Sequence, residues 1–168
     1  MRRVGLVALV AWSLSAPAAA QAPVGSVADL LALDEAQLLA RYRGGTAAGL
    51  PPGKVRGTPL LAPGTRRARL MSRGARLLWQ GKVVNPDAAG AVNRFAGLRI
   101  IRGELYQAPS WLDGAPTVVL DYQRTSHVYA RYRDEIRRIG PGLYLGLMFD
   151  RTKPCATPVM MFALETCR

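Results

Sequence analysis

Histidine and cysteine are scarce in this chain of 168 residues, which contains one histidine and two cysteines. Cys155, Cys167 and His127 together supply fewer than the four ligands of a structural zinc site. The G-x-S-x-G motif of the α/β-hydrolases is absent, and so is a glycine-rich phosphate loop ending in Lys-Ser/Thr. The sequence therefore predicts neither a metal site nor a cofactor.

Long apolar runs are also missing, except within the first twenty residues. A positive start at residues 1–3 is followed by an apolar run over 4–14 and by the small residues 18–20. This order is typical of a secretory signal peptide, and the run is shorter than the roughly 20 residues of a membrane span. We predict cleavage after Ala20 and a periplasmic or secreted protein, with an uncleaved anchor as the alternative.

Acidic residues are few, since 11 Asp and Glu stand against 23 Lys and Arg, for a formal net charge of +12. Such an excess favours anionic partners. For an exported protein, anionic lipid head groups, envelope polymers and acidic small molecules are better candidates than nucleic acid. Solubility alone is the alternative explanation.

The remaining chain is predicted to form one domain over residues 26–168, after a short linker at 21–25. Ser26 with Asp29, and Asp34 with Gln37, resemble capping boxes, which predict two short helices near the start of the domain. A third, amphipathic helix is predicted over 66–78, with Leu70, Met71, Ala75, Leu77 and Leu78 on one side. Its other side carries four arginines that suit an anionic surface or are merely solvated: Arg66, Arg69, Arg73 and Arg76.

From residue 79 onward the pattern favours strands. Strands are predicted at 79–84, 98–107, 116–123, about 133–139, 143–149 and 159–165, and an earlier one at 54–61 is confined to an edge by Pro59. The Asp113-Gly114 pair predicts a hairpin turn. Residues 88–97 are interpreted as a loop or short helix, and 126–132 as a short helix. Six or seven antiparallel strands in sequential order predict a mainly β fold, in which a meander closes or half-closes into a barrel.

Several side chains are candidates for chemistry or binding. His127 is the one available imidazole base, with Asp121, Asp134 or Glu135 as its carboxylate partner in an acid–base site; a surface histidine is the alternative. Asp121 is interpreted as an inward-facing carboxylate that pairs with Arg94, Arg137 or Arg138, or contacts a ligand, and exposure to solvent is the remaining alternative. Aromatic residues on the strands line a cavity or simply fill the core. The predicted ligand-binding set is Trp79, Arg94, Tyr106, Asp121, Tyr122, His127, Arg137 and Tyr144.

The C-terminal half resembles a family of uncharacterised bacterial proteins and, more distantly, is similar to the GXWXG/DUF4334 proteins. The segments that carry the resemblance are WLDG at 111–114, VLDY at 119–122, RDEIR at 133–137, PGLYLGLM at 141–148 and FALE at 162–165. The resemblance covers roughly residues 79–165. It implies an antiparallel calycin- or lipocalin-like barrel and apolar ligand binding.

Together these observations predict an exported protein that binds a small apolar or amphipathic, anionic ligand. Two alternatives stay open: an enzyme based on His127, and an envelope protein that binds anionic lipid through the arginine-rich helix. A Cys155–Cys167 bridge also stays open. A straight final strand would separate the two cysteines, and closure requires the loop at Cys155 to fold back along it.

Overall fold

The computed structural model describes residues 24–153 and 157–166. The predicted signal peptide and most of the predicted linker lie outside the described residues, and so do Cys155 and Cys167. Export and the pairing of the cysteines therefore stay predictions.

Eight strands of the described residues form a closed barrel. Each strand pairs antiparallel with the next, and the first pairs with the last, Val55 lying opposite Thr166. This confirms the predicted mainly β antiparallel barrel with short N-terminal helices. The elements are α1 (Val27–Ala32), α2 (Glu35–Arg43), β1 (Gly53–Pro59), α3 (Ala68–Leu78), β2 (Trp79–Val84), β3 (Gly90–Phe95), β4 (Leu98–Pro109), β5 (Pro116–Asp121), β6 (Tyr132–Gly140), β7 (Leu143–Asp150) and β8 (Pro158–Thr166).

Three local predictions were wrong. Residues 88–97 contain strand β3, which turns into β4 through Ala96 and Gly97, both with positive φ. Two such residues in succession match the tight hairpin turns that join antiparallel strands. Residues 127–131 form turns instead of a helix. Pro59 does not mark an edge strand, because a closed barrel has no edge; it is the last residue of β1.

The core has two parts, separated by the barrel wall. Inside the barrel, Leu120, Ile136 and Phe162 belong to one buried cluster. On the outer face of β7 and β8, alternate residues such as Leu145 pack with Leu38 of α2 in a second cluster. Strand side chains alternate between the two faces, so the apolar runs of β7 and β8 supply both parts of the core.

Helices α1 and α2 cover the outer face of the barrel. Both predicted capping boxes are present: Ser26 with Asp29 begins α1, and Asp34 with Gln37 begins α2. Gly44 is the C-cap of α2. No helix in the described part of the chain is long and apolar enough to span a membrane.

Candidate functional site

A cavity of about 390 Å³ occupies one end of the barrel interior. We call this the cavity end: β1, β3, β5 and β7 finish there, while β2, β4, β6 and β8 begin there. The volume lies within the range of roughly 300–1,000 Å³ that is common for small-molecule sites. The walls are mostly aromatic and apolar. The lining residues are Pro59, Trp79, Lys82, Asn93, Phe95, Tyr122, Tyr129, Tyr132, Asp134, Met148, Val159, Met160 and Phe162.

A lysine amine is buried at the polar side of this cavity. Lys82 Nζ donates to Asp134 Oδ2 at 2.8 Å, to Asn93 Oδ1 at 2.9 Å and to Tyr122 Oη at 3.0 Å. These three bonds use all the protons of an ammonium group. The four residues come from β2, β3, β6 and the segment after β5, and we refer to them as the Lys82 cluster.

The other members of the Lys82 cluster are bonded almost as completely. Tyr122 Oη donates to Asp134 Oδ2 at 2.6 Å. Asn93 Nδ2 donates to Tyr122 Oη at 3.0 Å and to Ile101 O at 3.2 Å, and Asn93 Oδ1 accepts from Trp79 Nε1 at 3.0 Å. Asp134 Oδ1 is the exception: it is buried and has no hydrogen-bond partner in the described structure.

Burial sets the electrostatics of the Lys82 cluster. It lowers the pKa of the Lys82 amine below its ordinary value of 10.5, and the Asp134 carboxylate opposes that shift. Burial also raises the pKa of the Tyr122 hydroxyl well above 10.0. Lys82 Nζ lies 5.2–5.7 Å from the ring centres of Trp79, Tyr122 and Phe162. These aromatic faces partly replace the water that a buried cation loses.

Glycines on the neighbouring strands make room for the large rings. A Cβ at Gly57 would lie 2.6 Å from the Trp79 ring, and one at Gly146 would lie 2.2 Å from the Phe162 ring. Trp79 and Phe162 meet edge to face, with centroids 5.3 Å apart. The absence of side chains at Gly57 and Gly146 therefore allows the Trp79 and Phe162 rings to occupy these positions in the cavity wall.

A second buried polar group lies outside the barrel wall. Glu135 accepts hydrogen bonds from Tyr42 Oη, Ser110 Oγ, the Trp111 amide and Arg133 Nε at 2.5–3.3 Å. We refer to these residues as the Glu135 cluster. It ties α2 and the β4–β5 turn to β6, and the cavity does not reach it.

Two of the predicted ligand-binding residues line the cavity, namely Trp79 and Tyr122. Tyr144 is buried in the interior cluster, but its hydroxyl donates to Gly49 O and it does not line the cavity. Arg94 lies in a surface cleft beside α3, with Arg73 and Arg76.

The remaining predicted site residues lie elsewhere. The inward orientation predicted for Asp121 was wrong: it alternates with the inward Leu120, and it pairs with Arg151 at 2.6 Å and accepts from Tyr106 Oη. Arg137 is also outward and holds Asp113 through two hydrogen bonds. His127 is exposed, and no ion pair in the described residues joins it to a carboxylate. Arg66, which precedes α3, and the α3 arginines Arg69, Arg73 and Arg76 face solvent wholly or in part.

Sequence reasoning missed Lys82 and Asn93, and considered Asp134 only as a partner of His127. A usable signal existed at Asp134, which shares one face of β6 with Tyr132 and Ile136. No comparable signal marked Asn93, because its segment was not interpreted as a strand.

Comparison with known proteins supports the fold and gives no information on function. No protein-family model matches this chain, and no curated protein matches it. A solved structure of a protein from Thermomonospora curvata is similar, with a TM-score of 0.54 and 18% identity, covering 84% of this chain and 96% of that one. This neighbour supports the barrel. Kinship with the GXWXG/DUF4334 proteins stays a prediction.

The arrangement can hold an apolar molecule by one polar end. Its walls offer aromatic and thioether surface, and its polar side includes Asp134, whose Oδ1 is buried without a hydrogen-bond partner in the described structure. No group of three or more His, Cys, Asp or Glu side chains in the described residues is placed to hold a metal ion.

Proposed function

We propose that this protein binds a small amphipathic molecule inside the barrel, with its apolar part against the aromatic wall. The observation that carries the proposal is the unpartnered Asp134 Oδ1 beside a cavity of about 390 Å³. A buried acceptor without a donor costs roughly 1–3 kcal/mol. A ligand that donates a hydrogen bond to this oxygen recovers that free energy.

The Lys82 cluster favours a neutral donor, such as a hydroxyl or amide, over the anion expected from composition. Lys82 would attract an anion if it were free, but its three protons are already donated and Asp134 balances its charge. A carboxylate would have to displace one of these bonds and would lie close to Asp134. The ligand class proposed here is therefore an apolar molecule with a hydrogen-bond donor at one end.

The predicted signal peptide in the first twenty residues bears on where the protein meets its ligand. If these residues direct export, the ligand is met in the periplasm or outside the cell. The alternative of an enzyme based on His127 has no support from the site, because His127 is exposed and no ion pair among the described residues joins it to a carboxylate.

Binding is tested with three probes of equal chain length: decanol, decanoic acid and decylamine. Titration calorimetry should give the tightest binding for decanol. The variant Lys82→Met/Asp134→Leu should lose the preference among the three, because it lacks both buried charges and the unpartnered oxygen. Glu104→Gln is the matched control, since it changes an exposed carboxylate of β4 and should leave the preference unchanged.

Native mass spectrometry of gently purified protein provides a second readout. A co-purifying small molecule with a hydroxyl or amide group would support the proposal. Failure of all three probes to bind, together with no co-purifying molecule, would contradict it. So would a clear preference for decanoic acid that the double substitution leaves intact.

A further inference from the structure

Large apolar side chains are exposed around the mouth of the cavity. Leu70, Leu77 and Val128 each expose three quarters or more of their surface, at 76%, 75% and 78%. Contiguous exposed apolar surface of this kind marks interaction sites more often than chance. The other strongly exposed members at this end are Met71, Leu78, Leu98 and Val159.

The topology brings these residues to the cavity end. Leu78 immediately precedes the cavity-lining Trp79, and its carbonyl accepts from the Ala96 amide in the β3–β4 turn, next to Leu98. Val128 adjoins the lining residue Tyr129, and Val159 lines the cavity itself. Leu78, Leu98, Val128 and Val159 therefore lie at the cavity end, where α3 joins the barrel.

Helix α3 turns its apolar side away from the barrel. It packs against the barrel through the small residues Ala68 and Ser72, which are both buried, and Ser72 Oγ accepts from the Leu61 amide at 3.1 Å. At helical spacing, Leu70, Met71, Leu77 and Leu78 share the opposite, exposed side. The helix thus buries small residues and presents large ones to the surroundings.

Positive charge accompanies this apolar surface. Arg69, Arg73 and Arg76 lie on one flank of α3, Arg66 precedes the helix, and Arg94 lies in the adjoining cleft. The carboxylates of Asp121 and Asp150 at the same end are already paired, with Arg151 and Arg131 respectively. An apolar side next to a row of cations is the arrangement of helices that lie in the surface of an anionic membrane.

We propose that the cavity end docks on an anionic lipid membrane, with the apolar side of α3 at the boundary of the acyl chains. In this orientation the cavity opens toward the bilayer, so an amphipathic ligand passes between lipid and barrel without crossing water. The docking stands without the proposed ligand, whereas the route of the ligand rests on the proposed function.

Vesicle sedimentation tests the docking. The protein is mixed with vesicles of phosphatidylcholine alone or of phosphatidylcholine with phosphatidylglycerol, at low and at high salt. Binding should require the anionic lipid and weaken with salt. Leu70→Ser/Leu77→Ser and Arg69→Gln/Arg73→Gln should each weaken it by about tenfold or more. Lys54→Gln/Arg138→Gln is the matched control, because it removes two exposed cations at the opposite end of the barrel.

Three results would overturn the docking proposal. One is no binding to the anionic vesicles at low salt, and another is an equal loss in the control variant. The third is self-association, measured by analytical ultracentrifugation, that disappears in Leu70→Ser/Leu77→Ser while vesicles are not bound; that result would assign the surface to a second copy of the chain.

The same assay separates this proposal from the proposed function. Lys82→Met/Asp134→Leu should bind vesicles as the unaltered protein does, because both changes lie inside the barrel. Vesicle binding by a protein that binds no decyl probe and carries no co-purifying molecule would leave the docking intact and reject the ligand. Probe binding without vesicle binding would do the reverse.

Discussion

Strand β6 carries two neighbouring buried carboxylates, Asp134 and Glu135, which face opposite sides of the barrel wall. Each accepts a hydrogen bond from a tyrosine hydroxyl and pairs with a cation. Asp134 is bonded to Tyr122 and Lys82, and Glu135 is bonded to Tyr42 and Arg133. Glu135 has both oxygens bonded and does not line the cavity. Asp134 has one oxygen free and lines a cavity. A buried carboxylate therefore stabilises the fold on the outer face of β6 and forms part of a candidate binding site on the inner face.

The difference follows from what covers each face. Outside, α2 and the β4–β5 turn bring donors that fill every acceptor of Glu135. Inside, Lys82 and Tyr122 both donate to Asp134 Oδ2, and no donor in the described structure reaches Oδ1. A carboxylate that the fold satisfies completely has nothing to offer a ligand, whereas one with a free acceptor does.

The largest expected effect is at Glu135. In Glu135→Gln, Arg133 loses its buried counterion, and the donors that converge on the carboxylate meet an amide. Removing one partner of a buried pair costs about 3–5 kcal/mol, a large share of a typical stability of roughly 5–15 kcal/mol. Urea denaturation measures the loss, with Glu104→Gln expected to change stability by less than about 0.5 kcal/mol. A loss of stability below about 1 kcal/mol would mean that the buried bonds of Glu135 contribute little to the stability of the fold.

The Lys82–Asp134 pair should behave differently when both partners are changed. Lys82→Met or Asp134→Leu alone leaves an unpaired buried charge and should cost about 3 kcal/mol. The double variant removes both charges and the unsatisfied oxygen, so it should be more stable than either single variant. Denaturation of all four proteins gives the coupling energy. Additive losses would mean that the two buried charges do not stabilise each other.

Much of the fold could be predicted from the sequence, because it is encoded locally. The alternation of Val118, Leu120 and Tyr122 against Thr117 and Val119 gave β5 and its two faces, and Asp113-Gly114 gave the hairpin turn. The capping residues gave both N-terminal helices. Strand β3 was missed because Gly90, Ala91 and Asn93 have weak strand propensity, and closure of the barrel imposes their conformation.

The site was less predictable, because its members are brought together by pairings far apart in sequence. Lys82 bonds to residues 11, 40 and 52 positions away, and nothing local distinguishes it from a solvated lysine. Asp121 is the instructive error. The alternation of β5 already separated it from Leu120, but Val119 beside it is also apolar, so the pattern did not show which face was interior.

The tyrosines sharpen the comparison through pH. Burial raises the pKa of Tyr42 from 10.0 to about 12. Its protonated form therefore stabilises the fold fully below pH 10, and this contribution is lost as pH rises toward about 12. In that window Tyr42 should steepen the fall of stability by up to about 1.4 kcal/mol per pH unit.

Urea melts of the unaltered protein and of Tyr42→Phe measure this slope. The difference between the two slopes isolates Tyr42, because Lys82 and Tyr122 titrate in both proteins. Equal slopes would indicate that the Tyr42 hydroxyl is open to water and that the Glu135 cluster is looser than its hydrogen bonds indicate.

The smallest expected change in stability is on the exposed side of α3. Like β6, this helix has two sides with different roles. Leu70→Ser and Leu77→Ser should each change the free energy of unfolding by less than about 0.5 kcal/mol, since both side chains are exposed. Ala68→Leu, on the side against the barrel, should cost about 1–3 kcal/mol because it overfills a packed contact. Denaturation measures all three variants. If instead the leucines cost as much as core residues, the apolar side of α3 would be buried, and the proposed membrane surface would lose its central element.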